Sequence, residues 1–435
     1  MTRSYTRRTL LAVVSTAALT ACGMPSIQSD PGSKLVLNTE IRGQTMRVKV
    51  KAEIAVPRPA MLSLQPLPPT GRMALIISSF GVFGKVDGVR AIRDVGNALS
   101  SGGASPEVLA QDIVWPNEAL VVPEAIGGGP VLVVAGGFLV PGKTGAITLV
   151  SLPGGRKPAG TRHVVAQGPQ GWFYHRTVVR DLDGDGRMDI LTARAQKPMM
   201  GAAQGQLVWY EQPDADPLGR PWTEHVMATG PDVHFHPADL DGDGREEILA
   251  AQFFSRKLSL FWPAGASYAG RVVDDSLGAA FDVTTADLDG DGRPEVLATN
   301  HESDRKAGVF AYDIPADPRS GTWTRRTLLS GIETRQQGIN QASPGQALAF
   351  HPGRDWPGKK PAILVAGDAS QRAHLLVPGS QAAGDWAYRE EIVLDAKATV
   401  GTCAAGDVDG DGTAEVFVPA YDRDRIFVLE VAPRK

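Results

Sequence analysis

Four acidic loops of nearly identical sequence carry the clearest chemistry of this chain. Each reads Asp-(Leu/Val)-Asp-Gly-Asp-Gly, and the four copies begin at Asp181, Asp239, Asp287 and Asp407. Three carboxylates at alternate positions repel one another at short range unless a cation lies between them. Hard oxygen ligands at this spacing favour calcium over a transition metal. The sequence therefore predicts up to four bound calcium ions.

Each loop offers ligands at positions 1, 3, 5, 7 and 9. Positions 1, 3, 5 and 9 are acidic, whereas position 7 contributes its backbone carbonyl, because its side chain differs between copies. The glycines at positions 4 and 6 permit the left-handed backbone of a tight turn. The predicted ligands are Asp181, Asp183, Asp185, Arg187 and Asp189; Asp239, Asp241, Asp243, Arg245 and Glu247; Asp287, Asp289, Asp291, Arg293 and Glu295; and Asp407, Asp409, Asp411, Thr413 and Glu415.

An EF-hand begins in the same way, but the rest of the pattern excludes it. An EF-hand needs a bidentate Glu at position 12 and flanking helices. Position 12 is Thr192, Ala250, Ala298 or Val418 in the four copies, and a short apolar run of β type follows each loop. We therefore expect the calcium ions to stabilise loops between strands.

The spacing of the loops reveals a longer repeat. They begin at residues 181, 239, 287 and 407, so the intervals are 58, 48 and 120 residues. The last interval is about twice the others, which predicts a repeat without acids near residue 347, and a similar one precedes the first loop near residue 130. Each repeat holds about four short strands with many Gly and Pro residues. This pattern is typical of a β-propeller blade.

The repeats predict an all-β fold, a β-propeller of four-stranded blades. Six repeats begin near residues 115, 172, 234, 281, 345 and 402, and a weaker seventh precedes them. Seven blades are favoured, with six and eight left open. The last repeat stops after three strands, so residues 45–54 are expected to supply its outer strand and close the ring. The predicted boundaries are a signal peptide over 1–21, a tether, closing strand and proline-rich connector over 22–70, and the propeller over 71–435.

The acidic loops and the strands beside them resemble the calcium-binding FG-GAP or VCBS-type repeats of integrin α-chain propellers and many secreted bacterial proteins. The resemblance covers roughly residues 71 to 431 and is specific in the four loops. It implies a β-propeller with calcium in its blade loops. It leaves catalysis open, because repeats of this type occur in adhesion proteins, in binding proteins and in some sugar-processing lyases.

The amino terminus predicts export and lipid anchoring. Three arginines precede an apolar run over residues 10–19, which is too short to span a membrane and is followed by Leu-Thr-Ala-Cys22. Small residues before Cys22 resemble a bacterial lipoprotein signal, in which that cysteine is lipidated; a plain signal peptide is the alternative. Residues 6–11 also resemble a twin-arginine signal, so the export route stays open. We expect a protein held at the bacterial cell envelope, on the outer membrane or the periplasmic face.

Composition and cysteine content narrow the function classes. The sequence has no basic run and no cluster of Lys and Arg with aromatic residues, so nucleic-acid binding has no support. With Cys22 lipidated, Cys403 is the only remaining thiol, so no intrachain disulfide is expected. Cys403 is interpreted as a small buried residue, and His301 and His351 are expected at the surface.

Candidate catalytic residues lie where the chain enters the first strand of each repeat, which is where it should reach the propeller axis. Three of the eight histidines fall there, together with two acids. Histidine and carboxylate together suit a metal site or an acid–base pair. Solvated or packing roles are the alternative. The candidates are Glu118, His175, His234, His236 and Asp282.

Two functions from different classes follow. The favoured one is a noncatalytic, calcium-stabilised, lipid-anchored propeller that binds a glycan, a protein or a small molecule. The other is an enzyme at the mouth of the axial channel, a lyase or hydrolase of a sugar-like compound that uses the histidines and Asp282, with or without a metal. Fold alone does not separate them, because propellers host both.

Overall fold

The computed structural model describes residues 45–81, 86–138, 144–198, 201–265, 267–336 and 341–434. The predicted signal peptide, Cys22 and most of the tether lie outside these residues. Seven four-stranded antiparallel sheets form a ring of blades. The prediction of a seven-bladed, all-β propeller is confirmed.

Strand β1 (Met46–Ala55) precedes six blades of four consecutive strands each. Within each blade, strands that follow one another in the chain are neighbours in the sheet. In blade order, the strands are β2 Pro59–Leu67, β3 Arg72–Ser79, β4 Gly88–Ile92 and β5 Glu107–Gln111; β6 Pro116–Ile126, β7 Gly129–Gly136, β8 Ala146–Ser151 and β9 Arg162–Gln167; β10 Trp172–Arg180, β11 Asp189–Gln196, β12 Gln204–Glu211 and β13 Thr223–Thr229; β14 His234–Ala238, β15 Glu247–Gln252, β16 Lys257–Ala264 and β17 Ser267–Asp274; β18 Ala280–Ala286, β19 Glu295–Asn300, β20 Gly308–Asp313 and β21 Thr324–Ser330; β22 Ala347–Phe350, β23 Ala362–Ala366, β24 Arg372–Pro378 and β25 Tyr388–Asp395.

The seventh blade joins the two ends of the chain. Its inner strands are β26 (Ala404–Gly406), β27 (Glu415–Ala420) and β28 (Arg425–Pro433), and β1 pairs antiparallel with β28 as the outermost strand. Residues 46 to 55 of β1 lie opposite residues 433 to 425. The predicted closure by an N-terminal strand is confirmed, and it covers an edge that β28 would otherwise expose.

The structure corrects the predicted proline-rich connector. Residues 59–67 form β2, which pairs with β3 and is the innermost strand of the first blade. An innermost strand has a ladder partner on one side only, so it tolerates proline residues such as Pro59 and Pro66, which lack a backbone N–H. The first blade therefore begins at residue 59, not 71. The single short α-helix of the described ranges, α1 (Val95–Ser100), lies between β4 and β5.

The core lies between neighbouring blades. One apolar cluster joins Leu191 and Leu207 of the third blade to Phe235 and Ile248 of the fourth. The second strand of a blade contacts sheets on both sides, so it must be apolar on both faces. All six residues of β15 are buried, which explains the continuous apolar runs after the acidic loops.

The innermost strands surround the axis, and their exposure rises along their length. In β14 and β18 the first residues are buried and the last three are half-buried. The acidic loops follow the innermost strands of the third, fourth, fifth and seventh blades. The axial channel therefore opens at the end that carries the acidic loops. Within the described ranges, no helix has the length and apolar character to cross a membrane.

Candidate functional site

An aromatic layer closes the other end of the axis. It is a single buried cluster with members from six blades, and only at the axis can side chains from so many blades meet. Phe80 stacks on Trp115 at 4.6 Å between ring centroids, and Phe138 meets Phe173 edge-on at 4.7 Å. The largest members are Phe80, Trp115, Phe138, Phe173, Phe281 and Tyr421. The polar residues that follow this layer along the innermost strands therefore line a channel that is closed at one end.

Arg176 joins two of the predicted residues, Glu118 and Asp282. Its Nε donates to Glu118 Oε1 at 2.9 Å, and its Nη2 lies 3.5 Å from Asp282 Oδ1. Its Nη1 donates to the carbonyl of Phe235 at 3.2 Å. Burial raises the pKa of Glu118, and the Arg176 charge offsets part of that increase. Sequence reasoning missed Arg176, although it directly follows His175.

The polar contacts continue from Asp282 to the last two blades. Asp282 Oδ2 accepts from the backbone N–H of Ala347 at 3.3 Å, and Gln346 Nε2 lies 3.5 Å from Asp282 Oδ1. The hydroxyl of Thr402 donates to Gln346 Oε1. We call Glu118, Arg176, Asp282, Gln346 and Thr402 the channel cluster. The side chains of Glu118 and Arg176 are 35% and 15% exposed, so solvent in the channel reaches the cluster.

His175 and His234 lie against the aromatic layer, not at an open mouth. Each is 1% exposed, and their rings meet edge-on at 4.4 Å. His234 Nδ1 donates to the Phe281 carbonyl at 2.7 Å and lies 3.6 Å from Asp282 Oδ1. Neither ring nitrogen of His175 has a partner in the described part of the chain. Burial lowers the pKa of both imidazoles well below the usual value, and the Arg176 charge adds to this, so both are neutral at neutral pH.

His236 and His301 differ in position. His236 is half-buried nearer the open end, where its Nε2 shares a hydrogen bond with Thr285 Oγ1 at 3.0 Å. Burial and the Arg176 charge lower its pKa to about 4. The expectation that His301 lies at the surface is wrong: it is 5% exposed and stacks on Phe281 at 5.0 Å, because the loop after β19 turns into the aromatic layer. His351 is exposed, as predicted.

The channel residues do not converge on one metal position. Among the described residues, groups of three or more His, Cys, Asp or Glu ligand atoms within 4.8 Å of one another all lie in the acidic loops. The five predicted channel residues thus do not form a three-ligand centre: Glu118 and Asp282 pair with Arg176, and His236 hydrogen-bonds Thr285. Cys403 is a buried free thiol whose pKa is raised by burial, which agrees with its interpretation as a packing residue.

The four acidic loops share one hydrogen-bond pattern. In the first loop, Asp181 accepts from the N–H groups of Gly184 at 2.8 Å and Gly186 at 3.0 Å. The carboxylate at position 9, Asp189, accepts from the N–H of Leu182 at 3.0 Å. The same bonds recur in the other three loops. The two glycines have φ angles of 80° and 85°, which is the left-handed turn that the sequence predicts.

The donor set of the loops suits a hard cation. Each loop brings three carboxylate groups within 4.8 Å of one another. The acid at position 9 is buried in every copy, as Glu295 at 6% exposure illustrates. Burial raises the pKa of Glu295 to about 7, and the charges of Asp289 and Asp291 add to this. At position 7, the side chains of Arg245 and Arg293 pair with the preceding aspartate, which leaves their carbonyls for the predicted ligand role.

Two loops also contact a basic side chain from a distant part of the chain. Lys51 of β1 places Nζ 2.6 Å from Asp409 Oδ2 and 2.7 Å from Glu415 Oε1. Arg319, between β20 and β21, places Nη2 within 3.2 Å of three carboxylates of the second loop. No local sequence signal predicts these contacts, because both partners are far apart in the chain.

The sequence comparison agrees with this geometry. Residues 181–250 and 239–298 match the family model described as an FG-GAP-like repeat. The chain is an FG-GAP-repeat β-propeller. No curated protein matches its sequence.

Two solved structures are similar to this FG-GAP-repeat propeller at low identity. One is a soluble aldose sugar dehydrogenase from Escherichia coli, with 12% identity, a TM-score of 0.41, and coverage of 90% of this chain and 100% of that chain. The other is a glucose dehydrogenase, with 14% identity, a TM-score of 0.35, and coverage of 74% and 97%. Likenesses this distant carry no information about activity.

The sequence predicted most of the polar residues that line the channel of this FG-GAP-repeat propeller. Four predicted residues, Glu118, His175, His234 and Asp282, lie close to one another, with His236 nearer the open end. The residues it missed are those that connect them. Arg176 and Gln346 each link blades that are far apart in sequence, and only the ring brings them together.

Proposed function

We propose that this FG-GAP-repeat propeller is a binding module of the bacterial cell envelope, anchored through a lipid on Cys22 and stabilised by calcium. Its ligand is a small hydroxylated compound, such as a glycan residue, that enters the channel from the acidic-loop end. The main observation in support of this proposal is the channel cluster, which lies next to the aromatic layer at the closed end of the channel. A concave site with a closed base and a few convergent polar groups is the usual form of a small-molecule site.

The chemistry of the channel cluster supports a hydroxylated ligand. Glu118 and Asp282 accept hydrogen bonds, Arg176 donates them, and the amide of Gln346 and the hydroxyl of Thr402 do both. A sugar ring presents alternating donors and acceptors, which such a set can pair. The ion pair between Arg176 and Glu118 holds the charged groups in place before the ligand arrives, which lowers the cost of binding.

The alternative function is an enzyme that acts on a sugar-like compound in the same channel. His234 favours it, because its neutral imidazole lies 3.6 Å from the Asp282 carboxylate and its Nε2 has no partner in the described ranges. A general base must reach the proton it removes. His175 and His234 are each 1% exposed, so the channel does not present them to a substrate, and binding is the better-supported function.

A thermal-shift screen of glycans and small metabolites tests the proposal. We expect at least one hydroxylated compound to raise the melting temperature of the wild-type protein. The rise should disappear in Glu118→Gln and Asp282→Asn. Glu53→Gln is the matched control, because Glu53 also pairs with an arginine, Arg425 at 2.7 Å, but lies on the outer strand β1.

Two results would contradict the binding proposal. One is the absence of a shift with every compound. The other is a shift that is undiminished in both channel variants. Conversion of a bound compound, detected by mass spectrometry and abolished in His234→Gln, would instead establish the enzyme alternative.

A further inference from the structure

We infer that two of the four acidic loops carry a cation supplied by the protein itself, so that calcium binds in the first and third loops only. The loops are numbered by position: first, residues 181–189; second, 239–247; third, 287–295; fourth, 407–415. This inference rests on the calcium binding proposed above. It assigns Lys51 and Arg319 as the residues that decide which loops take the metal.

The fourth loop is filled by Lys51. The pairing of β1 with β28 shifts register between Val50 and Ala52, which leaves Lys51 as the extra residue of an irregular pair. Such a bulge redirects a side chain. The ammonium lies 2.6 Å from Asp409 and 2.7 Å from Glu415, which are loop positions 3 and 9. Glu415 is fully buried and the Lys51 side chain is 20% exposed, so this is not a solvated surface pair.

The second loop is filled by Arg319 from the neighbouring blade. Its Nη2 lies 2.9 Å from Asp241, 3.2 Å from Asp243 and 2.7 Å from Glu247, at positions 3, 5 and 9. These oxygens are the ones that a calcium ion would need. The guanidinium contacts three carboxylates at once, and the Arg319 side chain is 27% exposed.

The first and third loops contain no comparable cation. Among the ion pairs of the described ranges, none reaches the carboxylates at positions 1, 3 and 9 of these two loops. Their basic partners are Arg187 and Arg293, which belong to the loops themselves and pair only with position 5. In the described ranges, the carboxylates at positions 1, 3 and 9 of these two loops have backbone N–H partners but no basic side chain.

A loop cannot bind calcium and hold Lys51 or Arg319 at the same carboxylates. A divalent ion at the shared oxygens would lie within a few ångströms of a positive charge, and like charges repel strongly at that distance. Calcium entry would therefore have to displace Lys51 or Arg319 and leave it without its partners. In the first and third loops calcium does not have to displace a basic side chain from another part of the chain, so it binds these loops more tightly.

This division has a structural consequence. Lys51 links the closing strand β1 to the fourth loop through an ion pair. Arg319 links the fifth blade to the second loop, which belongs to the fourth blade. Both contacts join protein groups directly, without an intervening ion. The ring therefore stays closed when calcium is removed, and calcium tightens only the third and fifth blades.

The experiment counts calcium ions per chain by equilibrium dialysis and by titration calorimetry on metal-stripped protein. We expect two ions for the wild type, three for Lys51→Met, three for Arg319→Met and four for the double variant. Lys49→Met and Arg220→Met are the controls, with two ions each. Lys49 lies on the same strand with a 68% exposed side chain, and Arg220 lies in the corresponding loop of the third blade, where it pairs with exposed Asp214.

A wild-type count of four would overturn this inference while leaving the calcium proposal intact. A count of two for folded Lys51→Met and Arg319→Met would overturn it as well. A count of zero for every protein would overturn the calcium proposal and this inference with it.

A second set of variants keeps the test decisive if Lys51→Met or Arg319→Met does not fold. Asp183→Asn and Asp289→Asn should each lower the wild-type count by one, whereas Asp241→Asn should leave it at two. Loss of an ion in Asp241→Asn would show that the second loop binds calcium in the native protein, which contradicts the inference.

Discussion

Arg176 and Glu118 form an ion pair inside the propeller channel, with Arg176 Nε 2.9 Å from Glu118 Oε1. The two residues belong to neighbouring blades, and the same guanidinium reaches Asp282 two blades further on. It also donates to the carbonyl of Phe235, so this one side chain connects four of the seven innermost strands at the base of the proposed ligand site. The stability of the ring and the shape of the site are coupled at this point.

Arg176→Met should destabilise the protein. The substitution leaves two carboxylates in the channel without their charged partner, so we expect a loss of roughly 1.5 to 3 kcal/mol in the free energy of unfolding. Arg425→Met, which breaks an exposed pair with Glu53, should cost less than about 1 kcal/mol. Equilibrium unfolding in urea measures both. Equal losses in the two variants would contradict the structural role of Arg176.

Removal of calcium should lower the melting temperature, and calcium should restore it. Extracellular calcium modules bind with dissociation constants of about 10⁻⁴ to 10⁻³ M, so about 2 mM calcium should stabilise the protein by roughly 0.6 to 1.8 kcal/mol for each occupied site. Thermal melts with a chelator, and then with excess calcium or magnesium, test this. An unchanged melting temperature in chelator would reject calcium as a stabilising ion.

Protonation of buried His301 should destabilise the fold in acid. Burial lowers the pKa of His301 to about 4, from about 6.5 in an unfolded chain. Between pH 6.5 and pH 4 the unfolded chain binds a proton at this imidazole and the folded protein does not. The free energy of unfolding is therefore highest above pH 6.5 and decreases as the pH falls towards 4. The wild type should therefore lose about 2 to 3 kcal/mol more than His301→Gln between pH 7 and pH 4.

The control for this pH dependence is His351→Gln, because His351 is exposed. Its unfolding free energy should follow the wild type at every pH. The measurement is urea unfolding at pH 7, 6, 5 and 4. Parallel curves for the wild type and His301→Gln would show that the His301 imidazole does not titrate on unfolding.

Lipid attachment at Cys22 predicts a simple labelling pattern. In a bacterial host fed radioactive palmitate, the wild type and Cys403→Ala should incorporate label and sediment with membranes. Cys22→Ala should do neither, because no other cysteine precedes the propeller. Label in Cys22→Ala would place the lipid elsewhere, and the absence of label in all three proteins would favour a plain signal peptide.

The blades were predictable because each is a local unit. A four-stranded blade is contiguous in sequence, so its turns and apolar strands recur at a readable interval. The closing strand was predictable by counting, since the last repeat lacks its fourth strand. The innermost strand β2 was not, because its prolines obscure the strand pattern at an edge where proline is tolerated.

The acidic loops are the part that the sequence determined most completely. Their carboxylates and glycines lie within nine consecutive residues, so the turn and the donor set follow from local geometry. Which loops contact a distant basic side chain depends on the folded ring as a whole. Lys51 and Asp409 are 358 residues apart in the chain and 2.6 Å apart in space, because the first strand completes the last blade. Ring closure is a property of the whole chain, and so are the contacts that it creates.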